Sequence, residues 1–179
     1  MEALTASSIH VSSLRNGRND LDFSADWRFF RHFEESLVQQ GKFEIKVLFD
    51  KYPDHWYLHF EVCGEMDTEC DRCLAPIVLP VTGSYELYVK FDIDAKPDPS
   101  GDIVYVPKET THFDIAQYLY EFIVLSVPVT KSMDCESKMN PPCDKEMLAR
   151  LNQQVANDPE STPWDVLKDV QIDRKSAQK

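Results

Sequence analysis

Phe43, Ile45, Val47 and Phe49 alternate with Glu44, Lys46 and Asp50; after Lys51-Tyr52-Pro53-Asp54 the alternation returns, Leu58, Phe60 and Val62 against His59, Glu61 and Cys63. A period of two is a strand period, and apolar residues on one parity alone mean one buried face and one wet face. The Tyr52-Pro53-Asp54 stretch supplies turn chemistry, so the two runs predict an antiparallel hairpin. Such a hairpin needs further strands and an apolar cover before it is stable.

Further strands are legible downstream. Ile77–Val81 leads into Tyr85, Leu87, Val89 and Phe91, with Pro80 and Gly83 suggesting an edge position or a bend, and Ile103–Val106 forms a short strand ending at Pro107. Gly64 marks a bulge that would change the parity around Cys63. The cover comes from helices. Ser24 reads as an N-cap, Asp26 suits a helix start and Gly41 a C-terminal stop, with Trp27, Phe30, Phe33, Leu37 and Val38 as the stripe between them. Thr110 or Thr111 opens a second helix that presents Ile115, Leu119 and Phe122, flanked by Tyr118, Ile123 and Leu125, and ends before Pro128. Asn140-Pro141 opens a third with Met147, Leu148 and Leu151, and Thr162-Pro163 a last one with Trp164, Leu167 and Val170.

These elements predict an α+β domain. Its antiparallel sheet is built from about 43–50, 55–63, 77–91 and 103–106. The first two helices cover one face, and the last two form a C-terminal extension. Residues 1–23 read as an irregular segment with a short strand around Ile9–Val11 and a basic turn at Arg15–Asn19; 24–128 are the core, 129–170 the cysteine-bearing loop and C-terminal helices, and 171–179 a disordered tail. The acidic loop 92–101 reads as a mobile or variable segment.

At 179 residues, 42% hydrophobic and 28% charged, the chain suits one globular domain with a real core. No apolar run approaches a bilayer span, and MEALTASSIH lacks the basic start and apolar stretch of a signal peptide, which places the expectation in the cytoplasm. The net charge is −12, and residues 51–110 carry five Lys and Arg against twelve Asp and Glu. Nucleic-acid affinity rests on cations that neutralise phosphates, so direct binding to naked RNA is disfavoured and a basic protein suits the charge better.

The chemistry concentrates in Glu69-Cys70-Asp71-Arg72-Cys73-Leu74-Ala75-Pro76, between two strands. Cysteines three apart on a tight turn aim their sulfurs at one point, as in a zinc knuckle or a redox pair. With Cys135 and Cys143 they supply the four thiols of a structural zinc site, although seven residues separate the second pair where such sites use two to four. Cys63 is a substitute ligand. A redox role for Cys70 and Cys73 fits less well, because that chemistry places the motif at a helix start and here more strand follows. Arg72 is placed to stabilise a thiolate or to pair with Glu69 or Asp71. His55 and His59 lie four apart on a strand, about 13 Å, too far to share a metal. No dinucleotide, P-loop, zincin or nucleophile-elbow motif occurs, and no catalytic residue is assigned.

The order of these features resembles the YceD family, a bacterial and plastid group linked to accumulation of large-subunit ribosomal RNA. The likeness rests on Glu69–Pro76, the strand Tyr85–Phe91, Phe113-Asp114, Tyr120–Pro128, the pair Cys135 and Cys143, and Asp158-Pro159 with Trp164–Lys168. It spans about residues 25–170 and looks closest to members from the Bacteroidetes. The resemblance implies a non-enzymatic role in synthesis, processing or stability of that RNA; taken with the acidic charge, it leads to the expectation that the role is exerted through a basic ribosomal protein or the pre-ribosomal large subunit. The alternatives are a structural zinc-binding interaction module and a thiol redox protein. The resemblance itself assigns no metal, catalytic residue or RNA contact.

Overall fold

The computed structural model describes residues 7–34, 36–92, 103–133 and 142–156. In chain order it forms strands β1 (Ser8–His10) and β2 (Gly17–Ala25), a one-turn helix α1 (Trp27–Phe30), and strands β3 (Gly41–Lys51), β4 (His55–Glu69) and β5 (Pro76–Phe91). Strands β6 (Ile103–Val106) and β7 (His112–Asp114) and helices α2 (Ala116–Ser126) and α3 (Lys145–Ala156) follow. The fold is α+β. Five strands in the order β2-β3-β4-β5-β6 make the main sheet, and β1 with β7 makes a small second one.

The alternating residues decide which side is covered. Phe43, Ile45, Val47 and Phe49 of β3 stand opposite Gly64, Val62, Phe60 and Leu58 of β4, and Leu58, Phe60 and Val62 in turn face Leu87, Tyr85 and Gly83 of β5. Ile45, Val47, Phe49, Leu58 and Phe60 are wholly buried, each contributing roughly 1.5–3 kcal/mol by leaving water. The cover is α2 together with the β1–β7 pair and the aromatic turn of α1. Ile115, Leu119 and Ile123 bury against the sheet, and Phe122 stacks on Tyr85 and meets Phe60 edge-on. Gly83 lets the end of α2 approach, since a Cβ there would lie 2.1 Å from Ser126 Oγ.

Four expectations change. Gly17–Ala25, read as loop, is an edge strand: Leu21, Phe23 and Ala25 pair with Val47, Ile45 and Phe43, while the outward parity is Arg18, Asp20, Asp22 and Ser24. The helix expected between Ser24 and Gly41 shrinks to one turn. Ser24 remains in β2, and the cap is Asp26, whose Oδ1 accepts the Arg28 N–H. Phe29, Phe30 and Val38 are buried, whereas Trp27 and Leu37 are exposed. Ser36 Oγ bonds both the N–H and the C=O of Val38, a local alternative that competes with helix propagation. Gly64 produces no bulge; the β3–β4 and β4–β5 registers run through it unbroken, keeping Met66 on the buried side. The last strand pair, β5–β6, is parallel, so the sheet is mixed at that edge.

The later helices also begin further along than expected. Residues 112–114 go to β7, and Asp114 accepts the Ala116 N–H at the start of α2. Leu125 of that helix faces solvent. Asp144, accepting from Glu146 and Met147, caps α3, with Met147, Leu148 and Leu151 half-buried. Cys135, Asn140 and Pro141, the loop 93–102, the helix expected at 162–170 and the tail lie outside the described residues.

Candidate functional site

β4 is left at Glu69 and β5 entered at Pro76, so Cys70–Ala75 is the turn closing the longest strand pair at one end of the sheet. Two backbone bonds shape it. The Leu74 N–H donates to the Cys70 carbonyl at 2.8 Å, and the Cys70 N–H to the Ala75 carbonyl at 2.9 Å. Closing so short a loop forces Leu74 into the left-handed region, φ 59°. For a residue with a Cβ this costs about 1–2 kcal/mol, and such strain is characteristic of sites whose surroundings hold the backbone in place.

The turn gathers hydrogen-bond donors on one sulfur. Cys70 and Cys73 are both buried thiols, 3% and 2% exposed. Cys70 Sγ accepts from the backbone N–H groups of Arg72, Cys73 and Met133 and from the Cys73 thiol, and these bonds, the Arg72 N–H first, hold its pKa below the ordinary thiol value against the opposing effect of burial. A sulfur wrapped by peptide N–H groups is stabilised as thiolate, which is the form that binds metal or attacks a disulfide.

Asp71 binds the turn to the distant segment Lys131–Met133. Its Oδ2 accepts the Lys131 N–H at 2.7 Å, and its own N–H donates to the Lys131 carbonyl at 2.8 Å. The Lys131 ammonium adds a loose contact at 3.9 Å. Arg72 therefore contributes its backbone N–H to the sulfur, while the carboxylate beside it is taken by Lys131 rather than by Arg72. Sequence reading missed this clasp, which joins residues 60 apart and leaves no local pattern.

The candidate ligands are placed differently. Cys70 and Cys73 converge. Cys143 is half-buried against the core, and Cys63 is exposed on the wet face of β4. Cys135 lies outside the described residues; Met133, two residues before it, rests on Cys70. Among the described residues no three His, Cys, Asp or Glu side chains come together as a metal-holding group. Nor do His55 and His59 combine: His55 bonds Asp54, and His59 lies between Ser84 and Glu61.

The second feature is the uncovered side of the sheet. Register places Asp20 and Asp22 of β2, Glu44 and Asp50 of β3, Glu61, Glu65, Asp67 and Glu69 of β4 and Glu86 of β5 on it, against Arg18, Lys42, Lys46 and Lys90. None of these side chains is buried. The acidic surface is thus one side of the sheet shared by four strands, and not the single stretch 51–110. Its effect is visible at Tyr57, whose ring lies tilted against Tyr88 and whose hydroxyl is pushed up to about 12 by desolvation and by the neighbouring Glu86 and Asp50 carboxylates.

A protein-family model described as large ribosomal RNA subunit accumulation protein YceD matches residues 58–171, more than half of the chain. No curated protein and no solved structure gives a significant match. The matched region begins within β4 and takes in the Cys70 turn, β5 to β7 and the described part of both later helices.

Proposed function

We propose that this chain, which belongs to the YceD family, supports the accumulation of large-subunit ribosomal RNA as a non-enzymatic assembly factor in the cytoplasm. The observation that carries the reading is the family match over residues 58–171, whose description names that role. The charge of −12 and the acidic sheet face support action through a basic ribosomal protein or on the assembling particle, since an RNA backbone would be repelled by the same surface. No helix among the described residues is long and apolar enough to cross a membrane. A ribosome profile from cells with and without the gene tests the proposal. Loss of the gene lowers large-subunit RNA and large-subunit particles relative to small ones, and the protein sediments with large-subunit precursors. An unchanged profile overturns it.

A structural zinc ion held by Cys70, Cys73, Cys135 and Cys143 is a second reading. The specific support is the N–H-lined Cys70 sulfur, with the chain leading to Cys135 docked on it at Met133. Zinc would make the Cys70 turn a folding element without altering the assembly role. Elemental analysis of purified protein should then give about one equivalent of zinc, with chelation lowering the melting temperature. A metal-free protein of unchanged stability removes this reading, and a reversible Cys70–Cys73 disulfide in its place would favour redox chemistry.

A further inference from the structure

A concavity of about 780 Å³ lies where the wet face of the sheet meets the α1 turn. Gly41 and Lys42 of β3, Glu65 and Asp67 of β4 and Val78 of β5 line its sheet side, and Asp26, Trp27, Arg31, Gln39 and Gln40 form the opposite wall. The volume is that of a ligand cleft, yet the cleft is open to solvent along the acidic face. Trp27 is 45% exposed and Val78 48%, so an indole and an isopropyl group face water in a place where a small protein has little reason to leave them.

The electrostatics select the occupant. Among the described residues Glu65, Asp67 and Glu69 stand in no ion pair, and as alternate residues of one strand they line up about 7 Å apart. Glu44 lies one strand over with no cation paired to it either. Arg31 and Lys42 are present in the lining, and the Arg28 and Arg31 guanidinium groups sit 5.4 and 5.6 Å from the Trp27 ring centre. The cleft is therefore mixed in charge while the face it opens onto is acidic. A phosphate chain leaving the cleft would run onto carboxylates, whereas a chain of spaced Lys and Arg would meet Glu65, which has Lys42 opposite it in register, and then Asp67 and Glu69, whose β5 partners Val78 and Pro76 carry no charge.

We infer that this cleft and the adjoining β4 carboxylates dock an extended Lys- and Arg-rich polypeptide segment, with one apolar or aromatic residue of the segment on Trp27 and Val78 and its cations along Glu65, Asp67 and Glu69. The inference rests on the assembly role proposed above and specifies the surface through which that role is exerted. Nothing about the Cys70 turn is required.

The test uses the full chain and a twelve-residue peptide probe carrying five lysines and one leucine, followed by Trp27 fluorescence and calorimetry. The expected result is saturable binding that weakens about tenfold between roughly 0.05 and 0.3 M salt. The double variant Glu65→Lys, Asp67→Lys weakens it at least tenfold. The variant Glu109→Lys, on a separate loop, leaves it unchanged, and Trp27→Phe abolishes the fluorescence change. Equal binding by the double variant, or tighter binding of a twelve-nucleotide single-stranded RNA than of the peptide, overturns the inference. In cells the two readings separate. If the double variant, folded as judged by its melting curve, restores large-subunit RNA fully in a deletion strain, the docking surface is wrong and the assembly role stands. If deletion itself leaves that RNA unchanged, the assembly role fails, while the peptide measurements still decide the surface.

Discussion

Replacing Asp71 with Ala should loosen the 131–133 segment from the Cys70 turn while leaving the sheet intact. The substitution removes the bond from the Lys131 N–H to Oδ2 at 2.7 Å and the ammonium contact at 3.9 Å, while the reverse bond, Asp71 N–H to Lys131 carbonyl, stays possible. A hydrogen bond to a charged acceptor contributes about 1.5–3 kcal/mol when shielded. Here the Asp71 and Lys131 side chains are 42% and 37% exposed, so water screens the bond to about 1 kcal/mol, and the ion pair adds a few tenths at most. That free energy corresponds to an increase of about fivefold or more in local opening. The assay is native-state amide exchange. Lys131 and Met133 amides should exchange about fivefold faster, with β4 and β5 amides unchanged, and Asp71→Asn should recover part of the protection because its carbonyl still accepts. A chemical readout accompanies this. The Met133 N–H is one of the donors on Cys70, so freeing it should move the thiol's titration, followed by thiolate absorbance, upward toward the ordinary value. Wild-type exchange at Lys131 and Met133, or an equal loss of protection in β5, would refute the clasp.

Other substitutions probe the frame around the site. Leu74→Gly removes the left-handed penalty of about 1–2 kcal/mol and restores about 0.5–1 kcal/mol of chain entropy cost, so the protein should melt a few degrees higher; a lower melting temperature would show that Leu74 makes a contact worth more than its strain. Gly83→Ala drives a methyl against Ser126 Oγ and the Tyr85 ring and should cost about 1–3 kcal/mol in denaturant titration, with Ser126→Gly in the same chain recovering part of it. Spectrophotometric titration should show one tyrosine, lost in Tyr57→Phe, ionising near 12, and Glu86→Gln should lower its midpoint. Because the folded value is the raised one, the stability Tyr57 contributes is complete below about pH 10 and lost as pH rises through 12. Cys70 has the opposite sign: its folded value is depressed, so stability should increase with pH from that value up to the ordinary thiol range, a slope that Cys70→Ser removes.

What could be read from the residues, and what could not, follows from how each element is stabilised. β3, β4 and β5 were legible because interior strands with one buried face write their environment into every second residue, as at Phe43 to Phe49 and Leu58 to Val62. β2 is an edge strand: Leu21, Phe23 and Ala25 are its apolar parity, and the interleaved Asp20, Asp22 and Ser24 look like loop composition. The expected first helix arose because aromatic residues at Trp27, Phe30 and Phe33 imitate helical spacing, whereas what buries that segment is a chain of ring contacts from Phe33 through Phe29 to Phe30 and on to Phe43. At the site, the cysteine spacing identified the turn and its place at a sheet end. Leu74 concealed the left-handed position that a glycine would have announced, and the Asp71 clasp depends on a pairing across 60 residues that one sequence does not display.

The small sheet carries a consequence for how the chain comes to be folded. β3, β4 and β5 succeed one another through the short turns 52–54 and 70–75, and β2 joins β3 through the longer segment 26–40, so their pairing closes sequence-local loops and can proceed as the chain emerges from synthesis. β1 must wait: its partner is β7, so Ile9 meets Phe113 only after the whole meander has been made. Closing that long loop brings little in return until β7 and α2 are in place. The first strand in the chain is therefore the last to find its mate. Substitutions at Ile9 or Phe113 should quicken unfolding with little effect on the folding rate, while those at Val47 or Phe60 should slow folding itself. On this order of folding the meander forms first and the contact of Ile9 with Phe113 completes it.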